Sequence, residues 1–150
     1  MTGKDWIMGV TDTLHDMEDS ISRDSERMDT LKMNLISTTA IQYDSDKVQS
    51  SCEGDKIAQQ YALYFELDKR IGQEYEKMMK FRSQSIERLN DYVKNPTLAF
   101  CLERRHIQFK SVAVIAQEDN VTEICIKKRF NKAYNLLNSI YILEKYRKSC

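Results

Sequence analysis

A seven-residue repeat of apolar side chains limits what the first third of this chain can fold into. The apolar residues at seven-residue spacing, together with those that follow three positions later, are Ile7, Leu14, Ile21, Met28, Leu35, Val10, Met17 and Leu31. This is the a and d pattern of a coiled-coil helix, because it keeps one apolar seam on the same side over many turns. Asp24 occupies the remaining d position. It either fixes the register as a buried polar residue or faces water where the helices separate.

A second long helix is predicted over residues 55 to 93. Its apolar face consists of Ile57, Tyr61, Tyr64, Ile71, Tyr75, Met78, Ile86, Leu89 and Tyr92. The helical spacing of the aromatic stripe indicates core or inter-subunit packing rather than ligand binding; the stripe consists of Tyr61, Tyr64, Phe65 and Tyr75. Residues 38 to 55 are rich in Ser, Thr and Asp, which predicts a long loop between the helices. We therefore expect the two helices to fold back on each other as an antiparallel coiled-coil hairpin.

The chain is expected to divide at Asn95-Pro96. Pro cannot continue a helix, and it biases the preceding residue away from helical angles. This predicts two domains, a helical hairpin over residues 1–95 and a second domain over residues 96–150. With four Gly and one Pro among 150 residues, the chain has few of the residues that turns between strands need. The predicted fold class is therefore all-α.

The net charge of the chain is zero, but the charge is unevenly divided between the two predicted domains. Residues 96 to 150 contain ten Lys or Arg and five Asp or Glu, a net charge of +5, which leaves −5 on residues 1 to 95. The second domain is therefore the part of the chain suited to binding phosphate.

Residues 110 to 133, KSVAVIAQEDNVTEICIKKRFNKA, predict a helix-turn-helix. Ile115 and Ala116 supply an apolar contact and a small side chain where two helices cross. Asn120 lies in the turn, where it tolerates a left-handed backbone, and Thr122 is the predicted N-cap of the second helix. The outward face of that second helix then carries Glu123, Ile124, Lys127, Lys128 and Asn131.

This motif predicts a set of DNA-binding residues. They are Lys110, Ser111, Thr122, Glu123, Ile124, Lys127, Lys128, Arg129 and Asn131. The basic residues neutralise backbone phosphates, and Lys110 with Ser111 touches phosphate at the start of the first motif helix. Glu123 can accept a hydrogen bond from a cytosine amino group, and Ile124 can rest on a thymine methyl group.

Several short segments of the second domain resemble a known family. They are LERRHI (102–107), KS (110–111), IA (115–116), NVTE (120–123), IKKR (126–129) and KA (132–133). Together they resemble region 4 of sigma-70-type factors, as found in small phage-encoded transcription regulators of Gram-positive bacteria such as the RinA and ArpU type late-gene regulators. At the level of motifs the resemblance covers about residues 98 to 137.

The resemblance implies an activator of phage late genes that binds double-stranded promoter DNA and host RNA polymerase in the bacterial cytoplasm. The heptads add a further expectation. They are satisfied either by a homodimer formed through the coiled coil or by an intramolecular hairpin alone. A dimer would read a repeated or palindromic site.

Three residues depart from the family pattern. Phe109 stands where the family has Gly, Asp119 replaces an apolar residue just before the turn, and Ile124 replaces a polar or basic residue on the outward face. Asp119, Ile124 and the even charge balance support a second hypothesis. In that alternative the coiled-coil hairpin is a protein-interaction module that binds or redirects a host protein without specific DNA binding.

No catalytic residue, cofactor or metal is predicted, so we do not expect an enzyme. The cysteines form no CxxC pair, and no Gly-rich phosphate loop is present. Cys101 and Cys125 are expected to be small buried residues, and His106 to be packed or solvated rather than catalytic. The start of the chain does not resemble a signal peptide, and no apolar stretch has the length of a membrane span, which predicts a cytoplasmic protein that contacts no membrane.

Overall fold

The computed structural model describes residues 2–42 and 51–147, with side chains described over 2–37 and 54–140. Within these ranges every regular element is an α-helix. In chain order the helices are α1 (Gly3–Gln42), α2 (Ser51–Tyr92), α3 (Pro96–His106), α4 (Val112–Glu118) and α5 (Glu123–Arg147). The all-α class predicted from the shortage of Gly and Pro is therefore confirmed over the described residues.

The predicted bounds of the loop at about 38–55 are wrong at both ends. Helix α1 continues through 38–42, and α2 already begins at Ser51. Ser and Thr are less favourable in a helix than Ala by only about 0.5 kcal/mol each, so a long helix can continue through several of them. Residues 43–50, the middle of the predicted loop, lie outside the described residues.

Contacts group the chain into two compact units. The terminal unit consists of Met1–Asp16 and Met79–Cys150, and the middle unit consists of Met17–Met78. The terminal unit thus contains both ends of the chain. The domain boundary predicted at Pro96 falls inside this unit, and the two predicted domains stay a prediction.

In the middle unit, Asp24 of α1 is hydrogen-bonded to α2. Its side chain is buried, and it accepts hydrogen bonds from Arg70 Nε at 2.7 Å and Arg70 Nη2 at 2.5 Å. One turn earlier in α1, the Ser20 hydroxyl donates to Glu74 at 3.3 Å. Residue numbers therefore rise along α1 while those of the α2 partners fall. Of the two readings left open for Asp24, a buried polar residue is the one observed.

The heptad positions of α1 are the residues that lose solvent contact, as predicted. Ile7, Val10, Leu14 and Leu35 are buried, and Ile21, Met28 and Leu31 are half-buried. The aromatic stripe of α2 does not follow this pattern, because the side chains of Tyr61, Phe65 and Tyr75 are exposed. Among the residues that the structure describes, these three rings are therefore not part of a core.

The terminal unit has a core to which α3, α4 and α5 all contribute. Its buried apolar residues include Leu98, Ala99, Cys101, Leu102, Ile107, Ile115, Ala116, Ile126, Phe130, Ala133 and Leu137. Burying one Leu, Ile or Val side chain contributes about 1.5 to 3 kcal/mol, so this cluster is a major source of stability for these three helices.

The break before α3 follows the sequence closely. Asn95 has an extended backbone, and its side chain accepts hydrogen bonds from the amides of Thr97 at 3.1 Å and Leu98 at 3.2 Å. Pro96 then occupies the first helical position, where the amide that it lacks would have no partner. The predicted end of the second helix at Asn95-Pro96 is confirmed.

The first turn of α1 packs directly on α5 in the terminal unit. The Lys4 amide donates to Asn138 Oδ1 at 2.9 Å, and the Trp6 ring meets Tyr92 edge-on at 5.3 Å. Gly3 is buried so tightly that a Cβ atom there would lie 2.5 Å from the carbonyl oxygen of Leu137. Only Gly allows this approach, which ties the beginning of the chain to its last helix.

Candidate nucleic-acid interface

The connection from α3 to α4 contains a left-handed residue. Phe109 has a φ of 56°, and its ring stacks on His15 with 3.9 Å between ring centroids. A left-handed backbone costs a non-Gly residue on the order of 1 to 3 kcal/mol, which the stacking offsets in part. This explains how Phe109 can stand where the resembled family has Gly: the backbone is left-handed, and the side chain is held against α1.

The connection from α4 to α5 follows the predicted turn. Ser111 caps α4 by accepting from the Val114 amide at 3.3 Å, and Asn120 has a φ of 53°. The Val121 amide donates back to the Ala116 carbonyl at 3.0 Å, which closes the end of α4. Thr122 precedes α5 and accepts from the Cys125 amide at 3.4 Å. The left-handed Asn120 and the capping role of Thr122 are both confirmed.

Helix α5 has a buried side and an exposed side near its beginning. Ile126, Phe130 and Ala133 face the core. The exposed residues that belong to the predicted set are Thr122, Glu123, Ile124, Lys127, Lys128 and Asn131. Ile124 is 65% exposed, an unusual position for a large apolar side chain. We call these six residues the α5 face.

The two lysines of the α5 face are free to meet an anion. Among the described residues, neither Lys127 nor Lys128 has a carboxylate within ion-pair distance. Their positive charge also affects a neighbour. The pKa of the Cys125 thiol is lowered, first by its hydrogen bonds with Thr122 and then by the charges of Lys128 and Arg129.

The other two basic residues of the predicted set are engaged within the protein. Lys110 Nζ lies 2.6 Å from Glu118 Oε1, and Arg129 Nη1 lies 2.6 Å from Asp119 Oδ2. Both cations are about one-third exposed. The structure therefore separates the predicted phosphate contacts into two free lysines and two cations that already have an acidic partner.

Asp119 is an important residue whose role the sequence did not reveal. It ends α4, and both of its oxygens are bound by Arg104 of α3, at 2.8 and 2.9 Å. With Arg129 of α5 as a third donor, one carboxylate links three helices. Hydrogen bonds from Arg104, followed by the charges of Arg104 and Arg129, hold the Asp119 pKa below its usual range. An acidic residue at a position expected to be apolar was the available signal that a cation must lie nearby.

Arg104 is buried, and its surroundings explain why it is ordered. Besides Asp119 it contacts Glu118 Oε2 at 3.3 Å, and its guanidinium lies 4.4 Å from the centre of the Phe100 ring. A buried charge is costly unless it is paired and hydrogen-bonded, and the two neighbouring carboxylates pair with the Nη1 and Nη2 atoms of Arg104. The outcome is a fixed group of charges directly beside the turn between α4 and α5.

The expected burial of the two cysteines is half right. Cys101 is fully buried, and burial raises the pKa of its thiol. Cys125 is exposed, because it lies one residue before the inward-facing Ile126 on α5. Assigning both to buried positions ignored the 100° rotation between consecutive helical residues, which turns Cys125 away from the core.

His106 is buried and fully hydrogen-bonded, consistent with a packed residue. Its Nε2 lies 2.6 Å from the Tyr134 hydroxyl, and its Nδ1 lies 2.9 Å from the Thr11 hydroxyl. Burial, followed by the nearby charges of Arg105 and Lys4, lowers the pKa of His106 to about 4. The imidazole is therefore neutral at physiological pH and joins the end of α3 to α1 and α5.

The middle unit carries a separate apolar surface. Its large exposed side chains are Met33, Ile36, Tyr61, Leu63, Phe65 and Tyr75. A shallow groove of about 410 Å³ in the same unit is lined by Arg27, Thr30, Leu31, Leu63, Leu67 and Arg70, so of these exposed residues Leu63 borders it. Exposed large apolar side chains next to a groove are a candidate surface for a protein contact.

The chain matches no protein-family model, no curated protein and no solved structure. Across residues 2–42 and 51–147, no helix combines the length and apolar character that crossing a bilayer requires. In the same ranges, His, Cys, Asp and Glu side chains do not gather in groups of three or more that could hold a metal ion.

Proposed function

We propose that this protein is a DNA-binding transcriptional regulator in which α4 and α5 act as a helix-turn-helix of the sigma region 4 type. The observation that carries the proposal is the α5 face: two lysines without acidic partners, beside polar and apolar side chains suited to base edges. In such motifs the second helix lies in the major groove with its first residues against the bases. Helices α1 and α2 form the antiparallel hairpin that accompanies it.

The chemistry is binding alone. Lys127 and Lys128 displace counterions from backbone phosphates, while the hydroxyls of Ser111 and Thr122 donate to phosphate oxygens. The side-chain amide of Asn131 can bind adenine through two hydrogen bonds. Glu123 accepts a hydrogen bond from a cytosine amino group, and Ile124 contacts a thymine methyl group.

The sequence resemblance supplies the biological setting of this proposal. It points to activation of phage late genes in a bacterial host cell, with host RNA polymerase as a protein partner. The exposed apolar residues of the middle unit support a homodimer through the long helices, since they offer surface that a second copy can cover. Two recognition helices would then meet half-sites about 34 Å apart.

Retention of DNA fragments in a mobility-shift series at increasing salt tests the proposal. Wild-type protein should retain double-stranded DNA, and its affinity should fall steeply with salt. Replacing Lys127 and Lys128 by Ala should reduce the slope of log K against log salt by about 0.9 for each phosphate that is no longer neutralised, about 1.8 in total. A slope that does not change would exclude this face as the phosphate-binding surface.

A matched control separates local effects from net charge. Lys69 and Lys77 are exposed on α2 in the middle unit. The Lys69→Ala/Lys77→Ala variant removes the same charge away from the α5 face and should keep the wild-type slope. An equal reduction of the slope in both double variants would mean that binding responds to total charge only.

A second candidate function is supported by the apolar surface of the middle unit. In this alternative the long helices bind a host protein, and α5 does not read DNA. Phe65 is 65% exposed and is the test residue. Capture of host polymerase that is lost in Phe65→Ser but retained in Lys127→Ala/Lys128→Ala, with no DNA retention by the wild type, would favour the interaction module.

A further inference from the structure

The cations around α4 and α5 differ in what they contact. Lys127 and Lys128 of the α5 face point toward solvent, whereas Lys110 is bound to Glu118 at 2.6 Å. Lys110 lies just before α4, at the place where a helix-turn-helix meets the DNA backbone. Glu118 therefore already binds one of the cations that are best placed to contact phosphate.

Both members of this ion pair are held in position. Glu118 is bound on its other oxygen by Arg104 at 3.3 Å, and Arg104 is itself fixed by Asp119. The backbone of Lys110 is fixed at both ends: its amide donates to the Arg104 carbonyl at 2.9 Å, and its carbonyl accepts from Arg105 Nη1 at 3.2 Å. An exposed ion pair is usually weak because two flexible side chains must be ordered. Here the Glu118 side chain is already held by Arg104, which leaves the Lys110 side chain to be ordered.

Glu118 is also ionised under ordinary conditions. Hydrogen bonds from Lys110 and Arg104 lower the pKa of its carboxyl. A phosphate that approaches Lys110 must therefore displace a bound carboxylate and approach its negative charge.

We infer that Glu118 limits the number of DNA phosphates this protein neutralises, by keeping Lys110 from the backbone. The inference rests on the proposed function and names the residue that sets the salt dependence of binding at that site. Lys127 and Lys128 neutralise phosphates in the wild type, and Lys110 becomes available when the charge of Glu118 is removed.

Glu118→Gln is the direct test, because it removes the charge while keeping the length and an oxygen that can accept from Arg104. The affinity for a double-stranded oligonucleotide is measured between 50 and 200 mM salt. The slope of log K against log salt should become more negative by about 0.9, the value for one additional neutralised phosphate. Over this fourfold range of salt the affinity of the variant should fall by about 3.5-fold more than that of the wild type.

Two further variants separate release of Lys110 from other effects. Glu103→Gln removes the same charge from α3, but Glu103 accepts from the neutral amide of Gln108, so no cation is released. It should keep the wild-type slope. The double variant Glu118→Gln/Lys110→Ala should return to the wild-type slope. Glu118→Ser repeats the test with a side chain too short to reach Lys110, should Gln disturb the fold.

Each result has a defined meaning. If the wild type binds DNA and both Glu118 variants keep its slope, the inference is overturned while the proposed function stands. Equal steepening in Glu118→Gln and Glu103→Gln would also overturn it, because net charge would then account for the change. If neither the wild type nor the Glu118 variants retain DNA, the proposed function fails and the inference fails with it.

Discussion

The middle unit and the terminal unit each place an aspartate where the surrounding pattern indicates an apolar side chain, but they balance its charge differently. Asp24 is bound by Arg70 and Arg27, whose side chains are 48% and 68% exposed. Asp119 is bound by Arg104, which is 5% exposed, and by the half-buried Arg129. In the middle unit the carboxylate is buried and the cations are solvated; in the terminal unit the main cation is buried.

The position of each aspartate determines what its ion pairs do for the protein. The Asp24 group joins two helices along a seam and leaves its arginines at the surface, so it favours one pairing of α1 with α2. The Asp119 group joins α3, α4 and α5 and withdraws cations from the surface. The second arrangement therefore affects both the assembly of the unit and the charge it offers to a ligand.

The largest expected effect comes from removing the buried cation of the terminal unit. Arg104→Ala leaves Asp119 without its main partner and should destabilise the protein by about 3 to 5 kcal/mol, the range for a buried ion pair in which one member is removed. The measurement is urea unfolding followed by circular dichroism. Arg70→Ala in the middle unit should have a smaller effect, because Arg70 is half exposed. Equal destabilisation by the two variants would erase the contrast between the two units.

A second comparison concerns how the free energy of unfolding changes as the pH falls. The pKa of His106 is about 4 in the folded protein and near 6.5 when the imidazole is solvated, so the unfolded chain binds a proton first as pH falls. The free energy of unfolding should therefore drop by about 3 kcal/mol between pH 6.5 and pH 4, and little more from this group below that. The pKa values of Asp24 and Asp119 are lowered, so these groups lose their stabilising charge only at the acid end of this range or below it.

The single tryptophan makes this prediction measurable within the terminal unit. Trp6 packs on Tyr92 there, so its fluorescence reports unfolding of that unit. Replacing His106 by Gln should remove the change between pH 6.5 and pH 4, although the variant is less stable at pH 7. If the variant and the wild type keep the same pH dependence, His106 does not account for the acid response.

The smallest of these effects concerns two glycines. Gly3→Ala places a Cβ atom 2.5 Å from the Leu137 carbonyl oxygen and should destabilise the terminal unit by about 1 to 3 kcal/mol. Gly72→Ala in the middle unit meets nothing within 4 Å and should stabilise α2 by about 0.5 to 1 kcal/mol. Thermal unfolding measures the sign of the stability change in each variant. A stabilising Gly3→Ala would mean that α1 does not pack on α5 in this way.

Short-range patterns in the sequence predicted the local structure well. Seven-residue spacing identified Ile7, Leu14 and Leu35 as buried, because helical periodicity alone decides which face a residue occupies. The break at Pro96 and the left-handed Asn120 follow from the restricted backbone angles of single residues. These features depend on neighbours only a few positions away.

Contacts between distant residues were not predictable in the same way. Thr11 and His106 are separated by 95 positions, and Asp119 is satisfied by Arg104 and Arg129 from two different helices. No local pattern fixes which partners packing brings together. Hence the sequence placed Lys110 and Arg129 among the phosphate-binding residues without revealing that each has a carboxylate beside it. The prediction of the loop between α1 and α2 was wrong for another reason, since Ser and Thr favour turns only weakly.

The α5 face, rather than the middle unit, is the proposed DNA-binding surface. Amide chemical shifts recorded while a double-stranded oligonucleotide is added at low salt test this most directly. We expect the largest changes at residues 122 to 131, with Lys127 and Lys128 among them. Changes confined to the exposed apolar residues of α2, such as Leu63 and Phe65, or no changes at any DNA concentration, would contradict this assignment.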